Sequence, residues 1–220
     1  MTRITRFSFS PRTRQAVRAL ASPQVLHAIV AHSTETADGT PRERVLWRLD
    51  PGAERHTLFI VSDQVPAGEV LAGELGGSIE QLLSLDYAPL LKRLTVGDEW
   101  RFRLKANPTR SVTTPGQKRG RRVGLVKGAD QLQWLTDRAG QLGVRFPTNR
   151  FDLPEVMIQE RQTREFERRE DHVTLATAIY DGFLIVEDPE LLRKALTGGI
   201  GRAKGYGYGL LTLAPMRAEG

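Results

Sequence analysis

This 220-residue chain has four histidines and no cysteine, which narrows its chemistry at once. Without thiols it can form no disulfide, thiolate metal site or cysteine nucleophile. No spacing of His with carboxylates resembles a metal site, so no metal and no other cofactor is expected. His27 is the best placed of the four for catalysis. Ser22-Pro23 reads as an N-cap followed by proline at the first helical position, opening a helix that runs to about His32. Val25, Leu26, Ile29 and Val30 form its apolar stripe. His27 falls about 130° from the centre of that stripe and should reach the surface. An imidazole there can donate or accept a proton near neutral pH, as phosphodiester cleavage requires. Read alone, a surface histidine on a helix is more often incidental than catalytic. His32 at the helix end and His56 before a strand read as solvent-exposed, and nothing supports a role for His172.

A second candidate is the run Gly199-Ile200-Gly201-Arg202-Ala203-Lys204-Gly205-Tyr206-Gly207-Tyr208-Gly209. Glycine lacks a Cβ, so such a run turns sharply and lets a ligand approach main-chain N–H groups. Arg202 and Lys204 add positive charge, which suits a phosphate backbone. Lys204 to Tyr208 imitates the aromatic motif of RRM domains. That motif lies mid-domain, however, whereas here only eleven residues follow Gly209. A dinucleotide fingerprint fails too, because a helix and not a strand precedes the glycines.

The net charge of +6 understates how unevenly the charge is distributed. Arg101 to Lys127 holds nine Lys or Arg and no acid, and Met1 to Thr34 holds five Arg and no acid. Segregation of this kind marks a footprint for a polyanion, although a solvated basic face would give the same pattern. No apolar stretch is long enough to span a membrane, and Met1 to Ser10 has no secretory signal pattern. These features point to a cytoplasmic protein.

The elements that must position these residues follow from periodicity. Arg3 to Ser8 alternates as a strand, and Ser10-Pro11 is expected to cap a short helix. The Ser22-Pro23 helix follows, then strands at Val45 to Leu49 and Thr57 to Val61, a helix at Ala67 to Leu75, and a strand at Glu99 to Lys105 with a basic outer face. Asn107 to Gln117 is rich in turn formers and is taken as the domain boundary, giving domains 1–106 and 107–220. The second half repeats the order. It has a strand at Arg122 to Val126, a helix at Ala129 to Gln141, and strands at Val156 to Gln162 and His172 to Tyr180. The last of these is expected to turn at Asp181-Gly182 into Phe183 to Val186. A helix capped by Asp188-Pro189 and a closing strand at Leu210 to Leu213 complete it. The expected fold class is α+β, two tandem ferredoxin-like (RRM-like) βαββαβ domains.

The glycine run has the spacing G-h-G-x5-G-h-G: Gly199-Ile200-Gly201, five residues, then Gly207-Tyr208-Gly209. That spacing resembles the glycine-rich signature of repeat-associated RNA-binding proteins of CRISPR systems. Further segments narrow the resemblance: Leu26-His27, Leu46-Trp47-Arg48-Leu49, and Phe102-Arg103-Leu104-Lys105-Ala106-Asn107-Pro108. Lys118-Arg119-Gly120-Arg121-Arg122-Val123-Gly124-Leu125, Trp134-Leu135 and Gly209-Leu210-Leu211-Thr212-Leu213-Ala214-Pro215 join them. In that order they resemble CasE, the repeat-processing endoribonucleases of type I-E CRISPR systems, over nearly the whole chain. The resemblance implies a metal-independent endoribonuclease that cuts the repeat hairpin of precursor CRISPR RNA, keeps its product and joins the Cascade complex. It implies His27 as the catalytic residue, by the histidine on the first helix in that family. It also implies a basic hairpin at Arg161, Arg164, Arg168 and Arg169 against the RNA stem, where interleaved glutamates equally allow a structural ion-pair ladder. The expected RNA cradle adds Lys118, Arg119, Arg121 and Arg122, and Gly199, Gly201, Arg202 and Lys204 of the glycine run. The 2′-OH beside the scissile phosphate would attack, leaving a 2′,3′-cyclic phosphate. Several relatives carry a tyrosine shortly before the histidine, where this chain has Pro23-Gln24-Val25. The alternative is a non-catalytic RNA-hairpin-binding subunit of a ribonucleoprotein complex.

Overall fold

Alternation of inward and outward residues makes Arg3–Phe9 strand β1, which buries Thr5, Phe7 and Phe9. In the computed structural model, residues 1–35, 45–112, 121–168 and 171–216 are described, without the side chains of 121, 164–168 and 171–175. Contacts divide the chain into two units. The first comprises Met1–Arg93, Thr197–Gly199 and Ala203–Leu210; the second comprises Leu94–Leu196, Ile200–Arg202 and Leu211–Gly220.

In the first unit β1 is followed by helices α1 (Arg14–Leu20) and α2 (Pro23–Ser33), and strands β2 (Leu46–Asp50) and β3 (His56–Ser62). Helix α3 (Gly68–Leu75), strand β4 (Leu82–Asp86) and helix α4 (Ala88–Arg93) complete it. The sheet order is β2-β3-β1-β4, every neighbouring pair antiparallel. Helices α1 to α3 bury Ala16, Ala19, Leu26, Ile29, Val30, Leu71 and Leu75 in one cluster with Phe7, Phe9, Leu58 and Ile60. The cap of α1 is Thr13 rather than Ser10: its Oγ1 accepts from the Ala16 N–H at 3.1 Å and donates to the Leu75 carbonyl at 3.2 Å. The Ser10 hydroxyl accepts only from the Arg12 N–H, at 3.4 Å. Thr13 prevails because its one hydroxyl satisfies a helix-end donor and reaches a second element.

The second unit begins with strand β5 (Glu99–Ala106), which pairs with β10 (Asp171–Val186) and β11 (Leu211–Pro215). The expected boundary at 106/107 therefore falls after a strand whose hydrogen bonds lie in the second sheet, and the contacts divide the chain at 93/94. The fourth strand of the first sheet is β4, which pairs with β1 through Thr5 and Ser84. Strands β6 (Thr109–Val112) and β7 (Arg121–Gly124) form a separate two-stranded ribbon. Helices α5 (Gly128–Thr136) and α6 (Ala139–Leu142), strands β8 (Val144–Arg145) and β9 (Val156–Arg168), and helix α7 (Pro189–Gly198) as far as Leu196 complete the unit. Its main sheet has the order β11-β5-β10-β8, with β9 also paired to β10.

No turn occurs at Asp181-Gly182, because β10 runs unbroken through both residues. Asp181 forms a two-pronged ion pair with Arg103 of β5, both distances 2.7 Å, and holds the strand in register. A Cβ on Gly182 would collide with the Glu155 carbonyl, so this glycine serves close backbone approach and not chain reversal. Both sheets are antiparallel, so the architecture is mixed α and β. Among the described residues no helix is long and apolar enough to cross a membrane.

Candidate active site

Helix α2 begins as its sequence dictates. The Ser22 hydroxyl accepts from the Gln24 N–H at 3.2 Å and Pro23 takes the first helical position. Leu26, Ile29 and Val30 are buried, Val25 is exposed at the margin, and His27 projects from the exposed side. The buried stripe thereby fixes the helix rotation, and with it the direction in which the imidazole is presented.

Residues of the glycine run stand against that imidazole. A Cβ on Gly205 would lie 3.6 to 3.8 Å from three atoms of the His27 ring, so the ring packs over the glycine backbone. The Tyr206 ring is the next neighbour, with centroids 6.4 Å apart and planes tilted by 59°. Lys204, Gly205 and Tyr206 form a short 3-10 turn between two left-handed residues, Ala203 (φ 63°) and Gly207 (φ 80°). Lys204 Nζ donates to the Gly198 carbonyl at 2.6 Å.

All four glycines of the G-h-G pairs have positive φ: Gly199, Gly201, Gly207 and Gly209. Three are also packed on their open side. A Cβ on Gly207 would stand 2.5 Å from Trp47 and one on Gly199 2.7 Å from Leu46, both residues of β2. A Cβ on Gly201, in the second unit, would stand 3.1 Å from Trp134. The intervening apolar residues are anchors, since Ile200 and Tyr208 are both buried. The signature thus encodes a fixed path for the backbone, built from conformations only glycine adopts freely.

Arg48 closes the arrangement within the first unit. It is 2% exposed, and its guanidinium donates Nε to Asp50 Oδ1 at 2.7 Å and Nη2 to Oδ2 at 2.9 Å. Its Nη1 donates to the Leu210 carbonyl at 3.2 Å, and the group lies 5.2 Å from the centre of the Phe59 ring. Leu46, Trp47 and Arg48 together form a seat for the glycine run, which holds Gly205 and Tyr206 against α2. Sequence reasoning singled out His27 and the glycine run separately but did not join them. It also gave no site role to Tyr206, Trp47 or Arg48, whose only signal was their membership of the quoted segments.

In the second unit, Arg122 on β7, Arg161 on β9 and Arg202 are exposed. The Arg161 guanidinium approaches the first turn of α5, 3.0 Å from where a Cβ on Gly128 would lie. Arg138 lies 4.1 Å over the Trp134 ring and donates to its carbonyl at 2.6 Å. Burial lowers the pKa of Arg138, and the positive charge of Arg122 adds to that shift against the opposing Asp137 and Tyr180. Lys118, Arg119 and Arg169 lie outside the described residues, and so do the side chains of Arg121, Arg164 and Arg168. Arg164 and Arg168 occupy β9, opposite Leu175 and Asp171. Among the described residues, no group of three or more His, Asp or Glu is arranged to hold a metal ion.

An exposed histidine seated on a glycine-built turn, in a chain of antiparallel sheets with exposed arginines, defines the class in which relatives are found. The chain belongs to the family of CRISPR associated proteins, whose sequence model matches residues 4–215, and within it to the CasE/Cse3 group. It is 29% identical over 219 residues to the CRISPR-associated endoribonuclease Cse3 of Thermus thermophilus, covering 96% of this chain and 99% of that one. It is 29% identical over 188 residues to the CRISPR system Cascade subunit CasE of Escherichia coli K12, covering 78% and 89%. The structure of CRISPR endoribonuclease Cse3 bound to 19 nt RNA is similar with a TM-score of 0.81 and 30% identity, over 97% of this chain and 100% of that one.

Proposed function

We propose that this protein is a metal-independent endoribonuclease that binds the repeat hairpin of precursor CRISPR RNA and cuts it to mature crRNA. The observation that carries the reading is His27, exposed on α2 and held against Gly205 and Tyr206 of the glycine run. The names of its relatives support the substrate, since Cse3 is a CRISPR-associated endoribonuclease and is seen bound to RNA. In the reaction the 2′-oxygen beside the scissile phosphate attacks phosphorus and the bond to the 5′-oxygen breaks. The products are a 2′,3′-cyclic phosphate and a 5′-OH. One proton leaves the 2′-OH and one reaches the departing oxygen, and His27 moves a proton in this exchange. Lys204, beside Gly205 in the chain, supplies positive charge toward the phosphorane.

RNA in A-form hides its base edges in a deep, narrow major groove, so a hairpin is held through shape and phosphate contacts. Lys118, Arg119, Arg121, Arg122, Arg161, Arg164, Arg168, Arg169 and Arg202 form the cationic cradle in this reading, with Gly199, Gly201 and Lys204 at the glycine run. Each unit is a ferredoxin-like βαββαβ domain, a reading supported by the strand orders β2-β3-β1-β4 and β11-β5-β10-β8. The protein works in the cytoplasm; that it joins a Cascade complex is supported by the name of its relative CasE, a Cascade subunit. The test is incubation of purified protein with a labelled repeat hairpin in EDTA. A single cut at the base of the hairpin is expected, and His27→Ala should bind the RNA without cutting it. Intact but shifted RNA with the wild type would select a purely binding role. Loss of cutting on chelation would overturn the metal-free mechanism.

A further inference from the structure

We propose that Tyr206 is the second proton-transferring side chain of this site, its phenol delivering the proton to the departing 5′-oxygen while His27 takes the proton of the 2′-OH. The inference rests on the endoribonuclease reading above and assigns the half of the proton transfer that a single imidazole leaves open. Cleavage by a 2′-OH needs one proton removed and one supplied on opposite sides of phosphorus, and two positioned groups can do this in concert. A phenol carries its proton at neutral pH and is a donor there, whereas a neutral imidazole is an acceptor.

Three observations single out Tyr206. Its ring is the aromatic neighbour of His27, with centroids 6.4 Å apart. It is also the member of the Tyr206/Tyr208 pair that the core does not need. Tyr208 is 2% exposed and serves as an anchor, whereas Tyr206 is only half-buried. Its backbone, finally, is held on both sides. Gly207 packs on Trp47, Lys204 reaches back to the Gly198 carbonyl, and Arg48 grips the Leu210 carbonyl. A side chain serving only as filler would not require a turn fixed at so many points. A catalytic group does, because small misplacements cost large factors in rate.

In the balanced step, the 2′-oxygen gives its proton to a His27 nitrogen and forms the new bond to phosphorus. The bond from phosphorus to the 5′-oxygen breaks, and that oxygen takes the Tyr206 proton. The phenolate and imidazolium then exchange protons with water to restore the enzyme.

The test is single-turnover cutting of the repeat hairpin by wild type, Tyr206→Phe, Tyr206→Ala and His27→Ala, with hairpin affinity measured in parallel. Tyr206→Phe removes one oxygen and keeps the ring. It should bind like wild type and cut about 100-fold more slowly, close to Tyr206→Ala. A second substrate carries sulfur in place of the bridging 5′-oxygen, and its thiolate leaves without needing a proton. On it Tyr206→Phe should match wild type, while His27→Ala stays slow. Wild-type cutting of the ordinary hairpin by Tyr206→Phe would assign the ring to packing and overturn the proposal. A defect that persists undiminished on the sulfur substrate would overturn it equally. If wild type cuts neither RNA, it is the endoribonuclease reading that fails.

Discussion

Arg48 offers the sharpest test of how the site is held. It is a buried cation with a carboxylate on two of its nitrogens and a main-chain carbonyl on a third. Arg48→Met keeps much of the aliphatic stem and removes the charge. Asp50, only 13% exposed at its side chain, then keeps its negative charge without its fork. Breaking a buried pair from one side costs about 3–5 kcal/mol, and the residual exposure of Asp50 puts the expectation at the lower end, about 3 kcal/mol. Arg48→Met combined with Asp50→Leu removes both charges and leaves chiefly the Leu210 carbonyl without its donor, a cost of about 1 kcal/mol. Adding Asp50→Leu to Arg48→Met should therefore restore about 2 kcal/mol of stability. Native-state hydrogen exchange in β2 and β3 reads these values directly, since about 3 kcal/mol accelerates exchange through local opening roughly 150-fold. If Arg48→Met leaves that exchange unchanged, the pair carries no load. If the double variant is as unstable as the single one, the damage does not come from the orphaned carboxylate and the reasoning fails.

Gly207→Ala must place a Cβ at φ 80° and 2.5 Å from Trp47, and should cost about 2–4 kcal/mol in urea unfolding. Gly205→Ala meets only ordinary contact with His27 and should stay within about 0.5 kcal/mol, so equal costs at the two glycines would contradict the packing described. Burial pushes the phenols of Tyr87 and Tyr180 above their usual value. The unfolded chain then releases protons near pH 10 that the folded chain retains, so stability is level below about pH 10 and falls above it. Phenolate absorbance should reach its full four-tyrosine amplitude only together with loss of the circular dichroism signal; full amplitude in the folded protein would refute this. Hairpin affinity should fall steeply with salt, and Arg161→Ala should reduce the log–log slope by about one, while an unchanged slope removes Arg161 from the phosphate contacts.

Where one local device decides the structure, the sequence was readable. Ser22-Pro23 starts α2 where its hydroxyl and ring demand, and the stripe through Leu26, Ile29 and Val30 turns His27 outward. Strand β4 was missed because Leu82, Leu83 and Leu85 give no clean alternation, and its place comes from pairing with β1. Asp181-Gly182 has turn chemistry, but Arg103 and the Glu155 carbonyl, both distant in sequence, keep it extended. Strand β5 showed its alternation plainly. Nothing local said which sheet it would join, and the boundary was misplaced for that reason. The site divides in the same way. His27 and the glycine spacing are written in short motifs, whereas the meeting of Tyr206 with His27 depends on Trp47 and Arg48 receiving a distant segment.

The first unit is discontinuous: residues 203–210 return to it after most of the second unit has intervened. During synthesis, α2 and its histidine therefore leave the ribosome long before the turn that faces them. A nascent chain carrying only residues up to Arg93 presents an imidazole without Gly205 or Tyr206, and β2 without its lid. On the proposed function, such a chain cannot cut RNA while it is still being made. The interval also withholds from Leu46 and Trp47 the two glycines that pack on them, Gly199 and Gly207, until the end of the chain is made.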